Sequence, residues 1–316
     1  MKKQKRPKKI GLALGSGSAR GWAHIGVIEA LADAGITVDY VAGTSAGAVV
    51  GAVYAAGNIN SLKDSALRMD WKRVIYFLDV VFPKSGLIDG NRIAEFIKSH
   101  VQEKDIENLP IPFRAVSTDL TTGNEIAIHK GDIIEAVRAS ISIPGIFTPV
   151  KKDDMTLVDG GLVNPVPVSV VREMGADFVI AIDLNHDILA RRGLKKPPSP
   201  KPENMEPEIN EIEIPTGINK VLGVLNKKSK AVDIPALTHV KQWMAGGQKP
   251  TIFEVLVTSI TIMEEQITSA RLKTDPPDLL IQPRLGHMKL LEFYRAKEAI
   301  LEGYNETKRC IQKLGI

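Results

Sequence analysis

The sequence predicts an α/β fold with a mostly parallel sheet between helices, and two observations carry that prediction. Two strand, glycine-turn and helix units stand back to back at the start of the chain, and apolar strand-length runs then alternate with helical patterns as far as Leu184. Strands joined by helix-length connections pair in parallel, with the connecting helices covering the faces of the sheet. Ile10–Leu14 is a short apolar run that ends in Gly15-Ser16-Gly17-Ser18, the pattern of a buried strand entering a tight loop. From Arg20 to Ala34, Ala23, Val27, Ala30, Leu31 and Ala34 recur at three- and four-residue spacing, a helix that Gly35 stops. Val38–Ala42 reads as the second strand, Gly43-Thr44-Ser45-Ala46-Gly47 as the second turn, and Ala46–Ala56 as a helix closed by Gly57.

Further along, Phe113–Thr118 and Glu125–His129 have strand character, Ile133–Ala139 is helical, and Thr156–Val158 is a strand running into Asp159-Gly160-Gly161. Val168–Met174 reads as helix and Phe178–Leu184 as a fully apolar strand. The alternation then stops. Six prolines lie between Leu194 and Pro215, and basic residues give way to a run of glutamates, a composition that buries too little apolar surface to order itself. Four regions result: a tail over residues 1–9, a core over 10–185, an exposed insertion over 186–250, and a C-terminal part over 251–316 that completes the core. That last part holds a helix at Ile252–Leu272, a strand at Asp278–Gln282 and a closing helix at Lys289–Lys313. Ile252, Leu256, Ser259, Ile260, Met263 and Ile267 share one side of the first of these helices, a stripe expected to pack on the core.

The 316 residues are 44% hydrophobic and 25% charged, which excludes collagenous, disulfide-scaffold and polytopic membrane classes. A formal charge of +4 invites a nucleic-acid reading. Lys2, Lys3, Lys5, Arg6, Lys8 and Lys9 account for more than all of it, however, and the rest of the chain is slightly acidic. No nucleic-acid partner is expected. The single cysteine, Cys310, and a start that lacks a signal-peptide apolar region make the cytoplasm the expected compartment. Residues 40–62 carry no charge and contain Gly47-x-x-x-Gly51, but small and polar residues dominate them and a turn interrupts them, so they read as a buried helix rather than a membrane span.

Gly43-Thr44-Ser45-Ala46-Gly47, between an apolar strand and a helix, matches the nucleophile elbow, in which flanking glycines let a sharp turn present the serine hydroxyl. The helix that follows directs free N–H groups and a positive dipole end toward the same spot. The usual partner would be a histidine, yet His24, His100, His129, His186, His239 and His287 all stand in sequence contexts that read as surface. Asp183 with His287 satisfies the α/β-hydrolase order formally, but that elbow follows several strands and Ser45 has room for only two before it. A dinucleotide reading of Gly15-Ser16-Gly17-Ser18-Ala19-Arg20-Gly21 fails because Arg20 takes the place of the third glycine, and Asp39 does not end the strand after it. The loop instead lies with the elbow at the carboxyl ends of neighbouring strands, where the backbone N–H groups of Ser16, Gly17 and Ser18 are expected to form an oxyanion hole. The sequence contains no metal-ligand motif, and no cofactor is expected.

A first strand leading into G-x-G-x-x-R-G, then G-T-S-A-G about 30 residues on, then D-G-G after a later strand, resembles the patatin-like phospholipases. The resemblance is to the bacterial branch related to neuropathy target esterase and RssA. Residues 117–123, 140–150 and 159–167 extend the likeness, which is close over 10–185 and looser over 250–305. It implies a three-layer patatin-like fold, a lipid or other acyl-ester substrate, and a Ser-Asp dyad in which Ser45 is the nucleophile and Asp159 its proton acceptor. Gly15, Arg20, Gly21, Gly43, Gly47, Gly160 and Gly161 complete the matching motifs. Asp119 and Asp183 are rival acids expected to be structural. Arg20 takes the basic position of the family loop, where it would hold the loop or meet a lipid phosphate; the alternative is a helix N-terminal arginine that pairs with a neighbouring carboxylate. Serines stand where the family loop often has glycines, a change that keeps backbone donors but narrows the approach of a bulky substrate. The alternative within the same resemblance is a silent or weakly active, membrane-associated regulatory or binding protein. The basic tail is then either a solubilising terminus or a reversible contact with an anionic inner membrane face.

Overall fold

The computed structural model describes residues 8–77, 88–188 and 252–314. The chain divides into one unit formed by residues 1–192 and 258–316 and another formed by 193–257. Of the second, only the opening residues of one helix are described. The expected insertion therefore lies outside the described residues from 189 onward, whereas Asn185 to Ile188 still form an ordered turn that buries Ile188.

In the first unit, β1 (Ile10–Leu14) enters a loop and a short 3₁₀ turn (Ser18–Trp22) before α1 (Ala23–Asp33). Then come β2 (Tyr40–Thr44), α2 (Ala46–Ala55), α3 (Ile59–Leu67), α4 (Trp71–Phe77) and α5 (Asn91–Lys98). They are followed by β3 (Phe113–Asp119), β4 (Glu125–Ile128), α6 (Ile133–Ser140), β5 (Val150–Lys152) and β6 (Met155–Asp159). The chain continues with α7 (Val168–Glu173), β7 (Phe178–Ile182), α8 (Ile252–Thr274), β8 (Leu279–Ile281) and α9 (Ala296–Leu314). Helix α8 begins in the second unit. The second strand is displaced by two residues from its expected span. The first and last helices begin later than their apolar patterns implied, because 3₁₀ turns at Ser18–Trp22 and Phe293–Arg295 precede them. Helices α3, α4 and α5 and strand β5 are elements that the sequence reading did not include.

The sheet runs β5-β6-β3-β2-β1-β7-β8, with β4 also paired to β3. From β3 through β8 that order is parallel, and β4, β5 and β6 add antiparallel pairs at one side, so the sheet is mixed but mostly parallel. Strand alternation sets the two cores. Leu12, Leu14, Ile180 and Ile182 join the large cluster with Ile25, Leu31 and Ala299, while Ala13, Val179 and Ala181 face Val170 and Val171 of α7.

One detail of pairing positions the chemistry. β4 pairs Ala115 to Thr118 of β3, β2 pairs Phe113 to Val116, and β6 pairs Ser117 to Asp119. Since β4 overlaps both of the others, β2 and β6 must share the opposite edge of β3. They run toward one another along it, and β6 takes up the edge where β2 leaves it for the elbow.

Candidate active site

Ser45 sits at the junction of β2 and α2 with φ 55° and ψ −121°, a left-handed conformation that costs a non-glycine residue about 1–3 kcal/mol. The close packing around it leaves no room for side chains on either flanking glycine. A methyl on Gly43 would overlap the Gly47 carbonyl, and one on Gly47 would overlap the Leu14 carbonyl. The turn is tied from outside as well. The Ser45 N–H donates to Ser140 Oγ at 2.9 Å, and that hydroxyl donates to the Val116 carbonyl at 2.6 Å. Thr44 Oγ1 donates to the Asn164 carbonyl at 2.8 Å. Ser140, fully buried, thus links the elbow to the strand that β2 has just left.

Asp159 ends β6 and is 2% exposed. Its Oδ1 accepts the Gly161 N–H at 2.7 Å, while its Oδ2 is buried without a closed hydrogen bond. The structure brings the Ser45 side chain beside this carboxyl, close enough to favour its ionised form by hydrogen bonding. Burial outweighs that effect and the Gly161 contact, and raises the carboxyl pKa from 3.8 to about 7. An acid so placed can hold or release a proton near neutrality, which is what a general base requires. Asp119 and Asp183 are occupied structurally, as expected. Asp119 accepts from Thr121 N and Thr122 Oγ1, and Asp183 accepts from Asn185 N and Gln282 Nε2.

The loop after β1 needs one correction. The Ser16 N–H donates to the Pro165 carbonyl at 2.8 Å, so Ser16 cannot serve as a backbone oxyanion donor, and its loop is pinned to the segment after Asp159 instead. The amides of Gly17 and Ser18 make no hydrogen bond among the described residues. Gly15 donates to the Ile182 carbonyl, holding the loop at the end of β7.

Two of the histidines expected at the surface are buried. His24 donates from Nε2 to the Gly15 carbonyl at 2.8 Å, and burial lowers its pKa to about 4, so it is neutral and supports the loop from beneath. His100 is 6% exposed and meets Ser61 Oγ. His287 is partly exposed and pairs with Glu298; His239 lies outside the described residues. Lys9 likewise does not belong to a free tail. Its Nζ pairs with Asp39 at 2.6 Å, and Asp39 also accepts the Ile10 N–H, so this aspartate stitches the two strands at their start rather than serving a ribose.

Glu264, on α8, is the site residue that the sequence reading missed. Its Oε2 accepts from Ser16 Oγ at 3.2 Å and from Asn185 Nδ2 at 3.3 Å. Arg20, which is buried, acts on the same carboxyl as a nearby positive charge. A neighbouring carboxylate, one of the expectations for Arg20, is present in the structure. Burial and the Asp159 charge nevertheless raise the Glu264 pKa to about 8. The expected apolar stripe on this helix also needs correction, since Met263 is exposed while Ile260, Thr261 and Thr268 are buried. An acid in register with Ile260 and Thr268, four residues to either side, was the signal available in the sequence.

Residues 12–172 match the profile of the family described as patatin-like phospholipase, a span that holds Ser45, Asp159 and the Gly15 loop but not Glu264. An uncharacterized NTE family protein of Mycobacterium tuberculosis is 32% identical over 321 residues, covering 93% of this chain and 89% of that protein. Human patatin-like phospholipase domain-containing protein 6 is 39% identical over 183 residues, covering 55% of this chain and 13% of that protein. VipD from Legionella pneumophila aligns in structure over 97% of this chain and 67% of its own, at 13% identity and a TM-score of 0.45.

Proposed function

Because this chain belongs to the patatin-like phospholipase family, we propose that it is a serine lipid acyl hydrolase that cleaves a carboxylic ester of a phospholipid or lysophospholipid. The observation that supports this most directly is the strained Ser45 beside a buried Asp159 whose Oδ2 lacks a closed hydrogen bond. Ser45 Oγ attacks the ester carbonyl carbon while its proton passes to Asp159 Oδ2. The carbonyl oxygen becomes an oxyanion, held by the uncommitted amides of Gly17 and Ser18 and by the N-terminal end of α2. Collapse breaks the bond to the alcohol, which leaves with the proton from Asp159. Water then attacks the acyl-Ser45 ester, giving its proton to Asp159, and the fatty acid departs as Ser45 regains a proton.

Among the described residues no helix is long and apolar enough to cross a membrane. Substrate in a bilayer would then be met from the surface, and the basic residues Lys2, Lys3, Lys5, Arg6 and Lys8 are the proposed contact with anionic headgroups. Lys9, paired with Asp39, is withdrawn from that set.

Fatty-acid release from lysophosphatidylcholine, measured for the parent and for Ser45→Ala and Asp159→Asn, tests the reading. Release by the parent and loss in both variants is expected. A parent that releases nothing from lipid or simple esters would return the silent binding protein as the better account.

A further inference from the structure

Three ionisable groups converge on the space between the Gly15 loop, the Asp159 turn and α8. Glu264 reaches across from α8, and its Oε1 and Asp159 Oδ1 both border the position that a methyl on Gly161 would occupy. Arg20, from the 3₁₀ turn after β1, acts on Glu264 as a nearby positive charge. Ser16 Oγ and Asn185 Nδ2 are the neutral partners, and Asn185 also donates to Ser16 Oγ at 3.2 Å, so Glu264 is held by a closed polar set rather than by chance contact. Two carboxyls facing one small space cannot both ionise freely, since like charges at short range oppose each other's ionisation.

We propose that Glu264 is a positioning residue of this site that shares one proton with Asp159, carrying it while the Asp159 carboxylate stands open to receive the proton of Ser45. The inference rests on the hydrolase reading for its purpose, but not for its test. Glu264 touches no reacting atom. Its protonated form leaves Asp159 as the anion that a general base must be, and its ionised form raises the cost of that anion. When attack transfers the Ser45 proton to Asp159 Oδ2, Glu264 keeps its own, and the pair holds two protons until the leaving alcohol takes one.

Carbon-13 NMR titration of the Asp159 and Glu264 side-chain carboxyls in the full chain reads this directly. Two-step curves are expected at both carbons, each registering the other's proton. Asp159→Asn is expected to move the Glu264 midpoint down by about one pH unit, the coupling at which protons belong to a pair. Glu264→Gln keeps the neutral form that Glu264 has while Asp159 ionises, so it leaves the Asp159 midpoint and the acid limb of kcat/KM in place. Independent single-step curves in the parent, or an unmoved Glu264 midpoint in a folded Asp159→Asn variant, would overturn the proposal. Should that variant fail to fold, the parent curves alone decide. A parent whose Ser45 resists a fluorophosphonate while its carboxyls titrate in two steps would overturn the hydrolase reading and leave the shared proton standing.

Discussion

Thr44 and Asp159 pair with adjacent residues of one strand, Val116 and Ser117, and they do so from strands running in opposite directions along the same edge of β3. That relationship explains how residues 114 positions apart in sequence, Ser45 and Asp159, meet without any direct chain connection. β2 terminates in the elbow, and the vacated edge is filled by β6, whose last residue is the acid. The dyad geometry is therefore a property of sheet register. A slip of one residue in β6 would turn the Asp159 side chain to the opposite face.

Ser140 carries the joint between these strands and is a position at which a small deletion has a large effect. Ser140→Ala leaves the buried Ser45 N–H and the Val116 carbonyl without their partner, at a cost of about 1–3 kcal/mol. Thermal unfolding should detect that loss. If about half of it is felt at the transition state, kcat falls about two- to tenfold with KM little changed. A variant as active as the parent would show that the elbow holds its shape unaided.

Gly47 is required by close approach. A methyl there meets the Leu14 backbone carbonyl, which cannot move without disturbing β1, so Gly47→Ala should destabilise the fold by more than about 3 kcal/mol. Soluble yield and thermal midpoint measure this. Gly57, where a side chain would meet open space, is the control for methyl addition, although its positive φ makes Gly57→Ala mildly costly as well.

Asp159 imposes a pH dependence on stability whose sign follows from its shift. Its folded pKa, about 7, lies above the unfolded value, so folding favours the protonated acid. The stabilisation is complete below the unfolded pKa and is lost as pH rises through about 7; Glu264, raised to about 8, acts in the same sense. Asp159→Asn removes the ionisation, so its thermal midpoint relative to the parent should be higher at about pH 8.5 than at about pH 5. A difference independent of pH would mean that this carboxyl does not titrate in the range.

Much of this arrangement was legible in the sequence because it is written in local grammar. Gly43 to Gly47 and Asp159 to Gly161 are turns whose residue types announce the backbone they need, and the apolar runs at Ile10 and Phe178 announce buried strands. What escaped was set by tertiary context. Ser16 looked like a backbone donor because nothing local shows that Pro165, far along the chain, accepts its N–H. His24 looked like a surface residue because a single histidine in an alanine-rich helix gives no sign of the Gly15 carbonyl it meets. Glu264 was passed over because a helix stripe read for hydrophobicity takes no account of an acid, and nothing local separates Glu264 from Glu265 beside it.

The tail offers a separate prediction. Deleting residues 2–8 removes five positive charges and spares Lys9, which belongs to the folded body. Each charge near an anionic leaflet contributes about 1 kcal/mol, so sedimentation with vesicles rich in phosphatidylserine should fall sharply while turnover of a soluble ester stays the same. Equal sedimentation with and without the tail would assign it to solubility alone.

The central claim is that Ser45 becomes acylated and that Asp159 drives both halves of the cycle. Acid-quenched mass spectrometry of the parent during turnover of an activated acyl ester tests it most directly. The predicted result is an acyl adduct on the peptide containing Ser45, with formation and decay both slowed in Asp159→Asn and no adduct in Ser45→Ala. An adduct on any other residue, or rapid acylation and deacylation in the absence of the Asp159 carboxylate, would contradict the account.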